Sequence, residues 1–212
     1  MDLQEKQSED VYKTLSSPSK GIYKDKGSKF LSFAFPVSDI EEIKTELDRL
    51  RKEYYDARHH CYAYRLGHTG DIWRANDDGE PSSTAGKQIL GQLLSKELCN
   101  VLVVVVRYFG GIKLGVPGLI KAYRTATLDA IANGEIIEKT ATARIATTFS
   151  YENTHSITRT LKEMNVTPKK FISKEDCTII TEIGLSETDK FMEKISEAGG
   201  SPVIITEEQE TN

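Results

Sequence analysis

The chain has 212 residues, 38% hydrophobic and 28% charged, with a formal net charge of −4, which suits a globular protein with room for one large domain or two small ones. Its longest apolar run, Val101–Val106, is far shorter than the ~20 residues of a membrane span, and the polar start MDLQEKQSED holds no apolar signal region, so no membrane partner and a cytoplasmic location are expected. Overall acidity argues against indiscriminate nucleic-acid binding, while Cys61, Cys99 and Cys177, odd in number and without CxxC spacing, point to reduced, buried thiols rather than a disulfide framework.

Residues 1–18 read as a frayed lead-in that ends in SSP. Leu31, Phe33 and Phe35 alternate through Ser28–Val37, the period of a half-buried strand. Ser38 and Glu41 have capping-box spacing, and Ile40, Ile43, Leu47 and Leu50 recur at helical intervals behind them. Strands are predicted over His59–Gly67 and Asp71–Asn76, joined by a turn at His68–Gly70. The loop DDGEPSSTAG comes next, and its hydroxyls are natural caps for a helix with Ile89, Leu90, Leu93, Leu94 and Leu98 inward. Val101–Arg107 reads as a central strand, being apolar on both faces. A last helix has Pro117 in its first turn, Gly134 past its end, and Leu119, Tyr123, Ala126 and Ala130 facing in.

Beyond Lys139 the pattern changes. Ala143, Ile145, Thr147 and Phe149 alternate along a strand, and a helix follows with Ile157, Leu161 and Met164 inward. Two strands are expected around Val166–Ser173 and Cys177–Gly184. A helix opening at Ser186, with Asp189 as its capping partner, bears Phe191 and Ile195 and stops at Gly199–Gly200. A short strand over Pro202–Thr206 completes βαββαβ, the split-βαβ or ferredoxin-like order. The predicted fold is therefore α+β in two domains, over 19–138 and 139–206, with an acidic tail at 207–212.

The chemistry gathers in two loops. Between Ser82 and Leu128 six bases face a single acid, Glu97, so positive charge concentrates there despite the acidic whole. Glycine-rich backbone at a helix start presents N–H groups backed by the helix dipole, an arrangement that accepts phosphate. Gly86, Gly110, Gly111 and Gly115 are candidate backbone donors, Arg107 and Lys113 candidate cations, and Tyr108 or Phe109 a face on which a base can stack. The loop Asp77, Asp78, Gly79, Glu80, Ser82, Ser83 and Thr84 has two readings. It is a turn whose acids complement a helix dipole, or its carboxylates hold Mg²⁺ against a phosphate. His59, His60 and Cys61 begin the preceding strand. They lack a second pair at zinc-like spacing, so they read as support for the neighbouring loop, and no resident metal or other cofactor is expected. A Ser82 or Ser83 nucleophile with His59 or His60 as base has no GxSxG elbow behind it.

The segments ARHHCYAY, DDGEPSSTAGKQIL and VVVVRYFGGIKLG…GLIKAY resemble the YigZ/Impact family, over about Gly21 to Thr206. The resemblance implies an N-terminal domain with the ribosomal-protein-like α/β sandwich also seen in translocation elongation factors, and a C-terminal ferredoxin-like domain. It also implies a role in translation, since the eukaryotic member dampens activation of a kinase that shuts down initiation. Two positions depart from the family pattern. Gln88 stands where proline is common, and Pro117 where glycine is, which removes one donor N–H. The expected function is translation-associated binding of RNA, the ribosome or a translation factor, with binding placed ahead of catalysis. The alternatives are a Mg²⁺-dependent enzyme acting on a small phosphorylated ligand and a module that binds only protein.

Overall fold

The computed structural model describes residues 10–173 and 176–206. The first nine residues of the expected lead-in, and the acidic tail at 207–212, lie outside the described residues. The chain forms two compact units, Tyr12–Lys139 and a second made of Thr140 onward with the residues up to Val11.

The first unit contains β1 (Val11–Leu15), β2 (Ser19–Asp25), β3 (Ser28–Pro36), α1 (Ile40–Glu53), β4 (His59–Leu66), β5 (Ile72–Asn76), α2 (Gly86–Ser95), β6 (Val101–Tyr108), α3 (Gly115–Ala132) and β7 (Ile136–Thr140). Five strands pair in the order β2-β3-β6-β4-β5, all antiparallel. The expected central position of the Val101 run is what the sheet shows. Val104 pairs with Phe33 and Tyr62, whereas Val103 pairs with Ala34 and Ala63, so alternate valines enter two separate cores. One core holds Ile43, Leu47 and Leu50 of α1; the other holds Ile89 and Leu93 of α2 with Leu119, Tyr123 and Ala126 of α3. A strand covered on both faces must be apolar throughout, which is why VLVVVV shows no alternation.

Two local expectations are corrected. β1 replaces part of the expected lead-in: it pairs with β7, and Leu15 is fully buried. The cap of α1 lies one residue later than the Ser38–Glu41 spacing suggested. Asp39 accepts the Glu42 N–H at 2.8 Å, and the Glu42 carboxylate reaches back to the Ser38 N–H at 2.7 Å. Asp caps as well as Ser does, and with Asp39 as cap the buried stripe Ile43–Leu47–Leu50 faces the sheet.

In the second unit β8 (Thr142–Phe149), α4 (Thr154–Glu163), β9 (Lys170–Ser173), β10 (Cys177–Gly184), α5 (Thr188–Glu197) and β11 (Ser201–Ile205) give a sheet of order β11-β8-β10-β9, the predicted split-βαβ arrangement. Ile145, Ile179, Phe191 and Ile195 fill its core. The expected Ser186 start becomes a 3₁₀ turn over Leu185–Glu187, because Ser186 is held elsewhere. Its N–H and hydroxyl both donate to the buried carboxylate of Asp10, at 3.0 and 2.8 Å.

Candidate functional site

The DDGE loop joins β5 to α2, and each of its three carboxylates has a separate task. Asp77 caps α2 from outside the helix: its carboxylate accepts the N–H groups of Ser83, Ala85 and Gly86 at 2.8, 2.9 and 2.8 Å. Ala85, the N-cap residue, has no capping side chain of its own, so Asp77 supplies both the missing acceptor and the negative charge that the dipole favours. Asp78 accepts the His60 N–H at 2.6 Å, tying the loop to the start of β4. Its backbone, like that of Ser83, is left-handed, with φ of 42° and 64° respectively.

Glu80 turns fully inward. Its Oε1 accepts from Arg107 Nη1 at 2.6 Å and from the Tyr123 hydroxyl at 2.9 Å, and all three residues are buried. The Cys61 thiol lies 3.0 Å from the Asp77 carbonyl and 3.3 Å from the Tyr123 hydroxyl. Burial and the neighbouring carboxylates push the Cys61 thiol far above its ordinary range, against the Tyr123 hydrogen bond. It is a protonated structural group, inert as a nucleophile at neutral pH. Burial, with Cys61 and Glu80 alongside, pushes the Tyr123 phenol up as well. His59 Nδ1 is 2.8 Å from the Asp78 carbonyl. A carbonyl only accepts, so that nitrogen carries the proton and Nε2 faces Glu80 at 4.0 Å. His60, on the opposite face of β4, is buried, and burial lowers its pKa below the usual histidine range. His59 and Cys61 meet the loop through their side chains, at the Asp78 and Asp77 carbonyls, whereas His60 meets it through its backbone N–H.

The RYFGG loop leaves β6 with its side chains divided between the two faces. Arg107 points toward α3 and packs over the Phe30 and Phe109 rings, its Cζ 5.4 and 5.7 Å from the centroids. Among the described residues its buried Nε has no hydrogen-bond partner. Tyr108 packs on the α1 side and donates its hydroxyl to Asp56 at 2.7 Å. That bond, with added burial, pushes the Tyr108 phenol up to about 12. The loop then presents Phe109, Ile112 and Val116 to solvent, 57, 58 and 52% exposed, together with Lys113.

Several of the expected site residues are therefore placed differently from the reading by motif. Gly86 and Gly110 serve close backbone approach. A Cβ on Gly86 would sit 2.5 Å from the Asn76 nitrogen, and one on Gly110 would sit 1.9 Å from the Gly27 carbonyl carbon. Their amides are already used, by Asp77 and by Ser28 Oγ at 3.1 Å. Gly86 and Gly110 are therefore not free anion donors, because internal acceptors occupy their amides. Arg107 is an internal counter-ion rather than a free phosphate fork. Tyr108 is anchored at Asp56, and the exposed aromatic is Phe109. Thr84 is buried and donates to the Pro81 carbonyl at 2.6 Å, while Ser82 and Ser83 are exposed. Among the described residues no hydrogen bond joins either serine to His59 or His60. Among the described residues the acids, histidines and cysteines form no group of three in metal-holding geometry. Gly111, Lys113 and Gly115 remain at the surface, where α3 begins with neither a side-chain cap nor an acid in its first turn. Tyr123 and Asp56 were absent from the expected site. A buried tyrosine hydroxyl does require a partner, but nothing in the sequence names Glu80.

Comparison with known proteins places this site in a family. The model of the Impact N-terminal domain matches residues 26–131, which span both loops. An IMPACT family member of Bacillus subtilis, YvyE, is 34% identical over 80% of this chain and 78% of its own length. The Escherichia coli member YigZ is 40% identical over 51% of this chain and 54% of its own length. A crystal structure of a hypothetical protein superposes on 93% of this chain and 98% of its own, with 27% identity and a TM-score of 0.68. The match of the loop-bearing domain, together with a relative aligned across both units, shows that the chain belongs to the IMPACT family.

Proposed function

We propose that this protein is a translation-associated regulatory factor that binds RNA, on the ribosome or with a translation factor, through the surface around the RYFGG loop. One observation carries the reading: the acids of the DDGE loop are engaged within the fold, Glu80 buried and Asp77 and Asp78 half-buried. Asp77, Asp78 and Glu80 are committed to backbone amides, Arg107 and Tyr123. The outer surface of these loops and helices is left with the exposed cations Lys87, Lys113, Lys121 and Arg124. A local concentration of exposed cations attracts polyanions even though the whole chain is acidic. The uncapped start of α3, next to Lys113, adds favourable dipole at the same place. The family resemblance supplies the connection to translation. The Mg²⁺ reading has less support, because each carboxylate already accepts from a different part of the fold.

The test is a titration of labelled RNA at increasing salt, with co-sedimentation on ribosomes as a second readout. Binding should weaken linearly in log–log form with salt, and the Lys87→Ala/Lys113→Ala variant should reduce that slope by about 2, one per lost phosphate contact. Affinity that ignores salt, or that the double variant leaves untouched, would overturn the proposal.

A further inference from the structure

Resting on that RNA-binding reading, we infer that the ligand is unpaired RNA, with one base stacked on the exposed ring of Phe109. Three observations converge on this residue. Phe109 is 57% exposed, at a position where one face of its ring meets the Arg107 guanidinium. That guanidinium cannot swing away: Glu80 holds it at 2.6 Å and the Phe30 ring backs it. Lys113 stands exposed four residues later.

The chemistry that follows is specific. A cation over one face of an aromatic ring draws π density toward itself. The opposite, open face then favours an electron-rich flat partner, and a purine base fits that description. Fixing the ring from behind also lowers the conformational entropy lost when a base stacks on it. Ile112 and Val116, 58 and 52% exposed, follow within seven residues and add apolar surface to the same segment, and Lys113 answers the phosphate of the same nucleotide. Duplex RNA keeps its bases stacked on one another and offers mainly backbone. A platform of this type therefore selects single-stranded segments, loops or splayed ends.

The experiment compares a labelled oligoadenylate single strand with the same strand annealed to its complement, using the full chain. The single strand should bind more tightly. Phe109→Ala and Phe109→Leu should each weaken it about 5- to 150-fold, the range expected for one lost base stack. Leucine keeps the apolar cover over Arg107 while removing the π face, so a loss in both variants identifies stacking rather than packing. Phe109→Trp should retain binding, and the emission of the added indole, above that of Trp73, should be quenched by the single strand. Salt-dependent binding that is indifferent to Phe109, or equal for both strands, overturns this inference and leaves the broader reading intact. The absence of salt-dependent binding to either strand overturns both.

Discussion

Glu80 and Arg107 lie 27 positions apart and form a buried ion pair with side chains only 3 and 9% exposed. Removing two charges from water is costly, and the pair is retained because Tyr123 and the aromatic rings complete its surroundings. The danger lies in stranding one partner. Arg107→Met should therefore destabilise the chain by about 3–5 kcal/mol in urea unfolding, because it leaves an uncompensated buried carboxylate. Adding Glu80→Gln to that variant should restore part of the loss. If the double variant were no more stable than Arg107→Met alone, the pair would not be coupled as its geometry indicates. The residue scale also sets the limit of reading by motif. Arg107 and Tyr108 are the residue types that nucleic-acid contacts use, yet Glu80 and Asp56 claim them, and the next side chain, Phe109, is the exposed one.

At the scale of elements, α2 carries two glycines with opposite tasks. Gly86 lets the helix start meet the end of β5, where a Cβ would lie 2.5 Å from the Asn76 nitrogen. Gly91 has nothing within 4 Å of its Cβ position and supplies only backbone freedom. Gly86→Ala should cost about 1–3 kcal/mol, since backbone cannot yield as a side chain does. Gly91→Ala should stabilise by up to about 1 kcal/mol through helix propensity. Thermal unfolding monitored by circular dichroism would show the two melting temperatures moving in opposite directions, and shifts of the same sign would refute the packing role of Gly86. The sequence pattern located this helix and the inward Ile89, Leu90 and Leu93, but Leu94, expected inward, is exposed, and the buried Leu98 lies past the helix end. It did not separate a glycine required by close packing from one that merely tolerates a helix, because that distinction depends on what lies across the contact.

For the whole molecule, residue 10 belongs with residues more than 170 positions later. Asp10 is buried and accepts both the N–H and the hydroxyl of Ser186, and its own carbonyl accepts from Ala141. Asp10→Ala should cost about 1–3 kcal/mol, the penalty for buried donors without an acceptor. Hydrogen exchange should show the loss within Thr142–Ile205 and leave the amides of β4 and β6 protected; a uniform loss over both units would contradict this division. The organisation into two α+β units and the central apolar strand were legible from the sequence, because periodicity and turn residues act over a few neighbouring positions. β1, β2 and β7 were not; β1 forms only by pairing with β7, over 100 residues later, and such a strand carries little local signal. Family membership was also written in the sequence, through long runs such as DDGEPSSTAG and RYFGG. Which groups in those runs face solvent was decided by the tertiary structure alone. Asp77 reaches three amides and Glu80 meets Arg107 only once β4, β6 and the two helices have packed, because a hydrogen bond depends on distance and direction in space and not on separation along the chain.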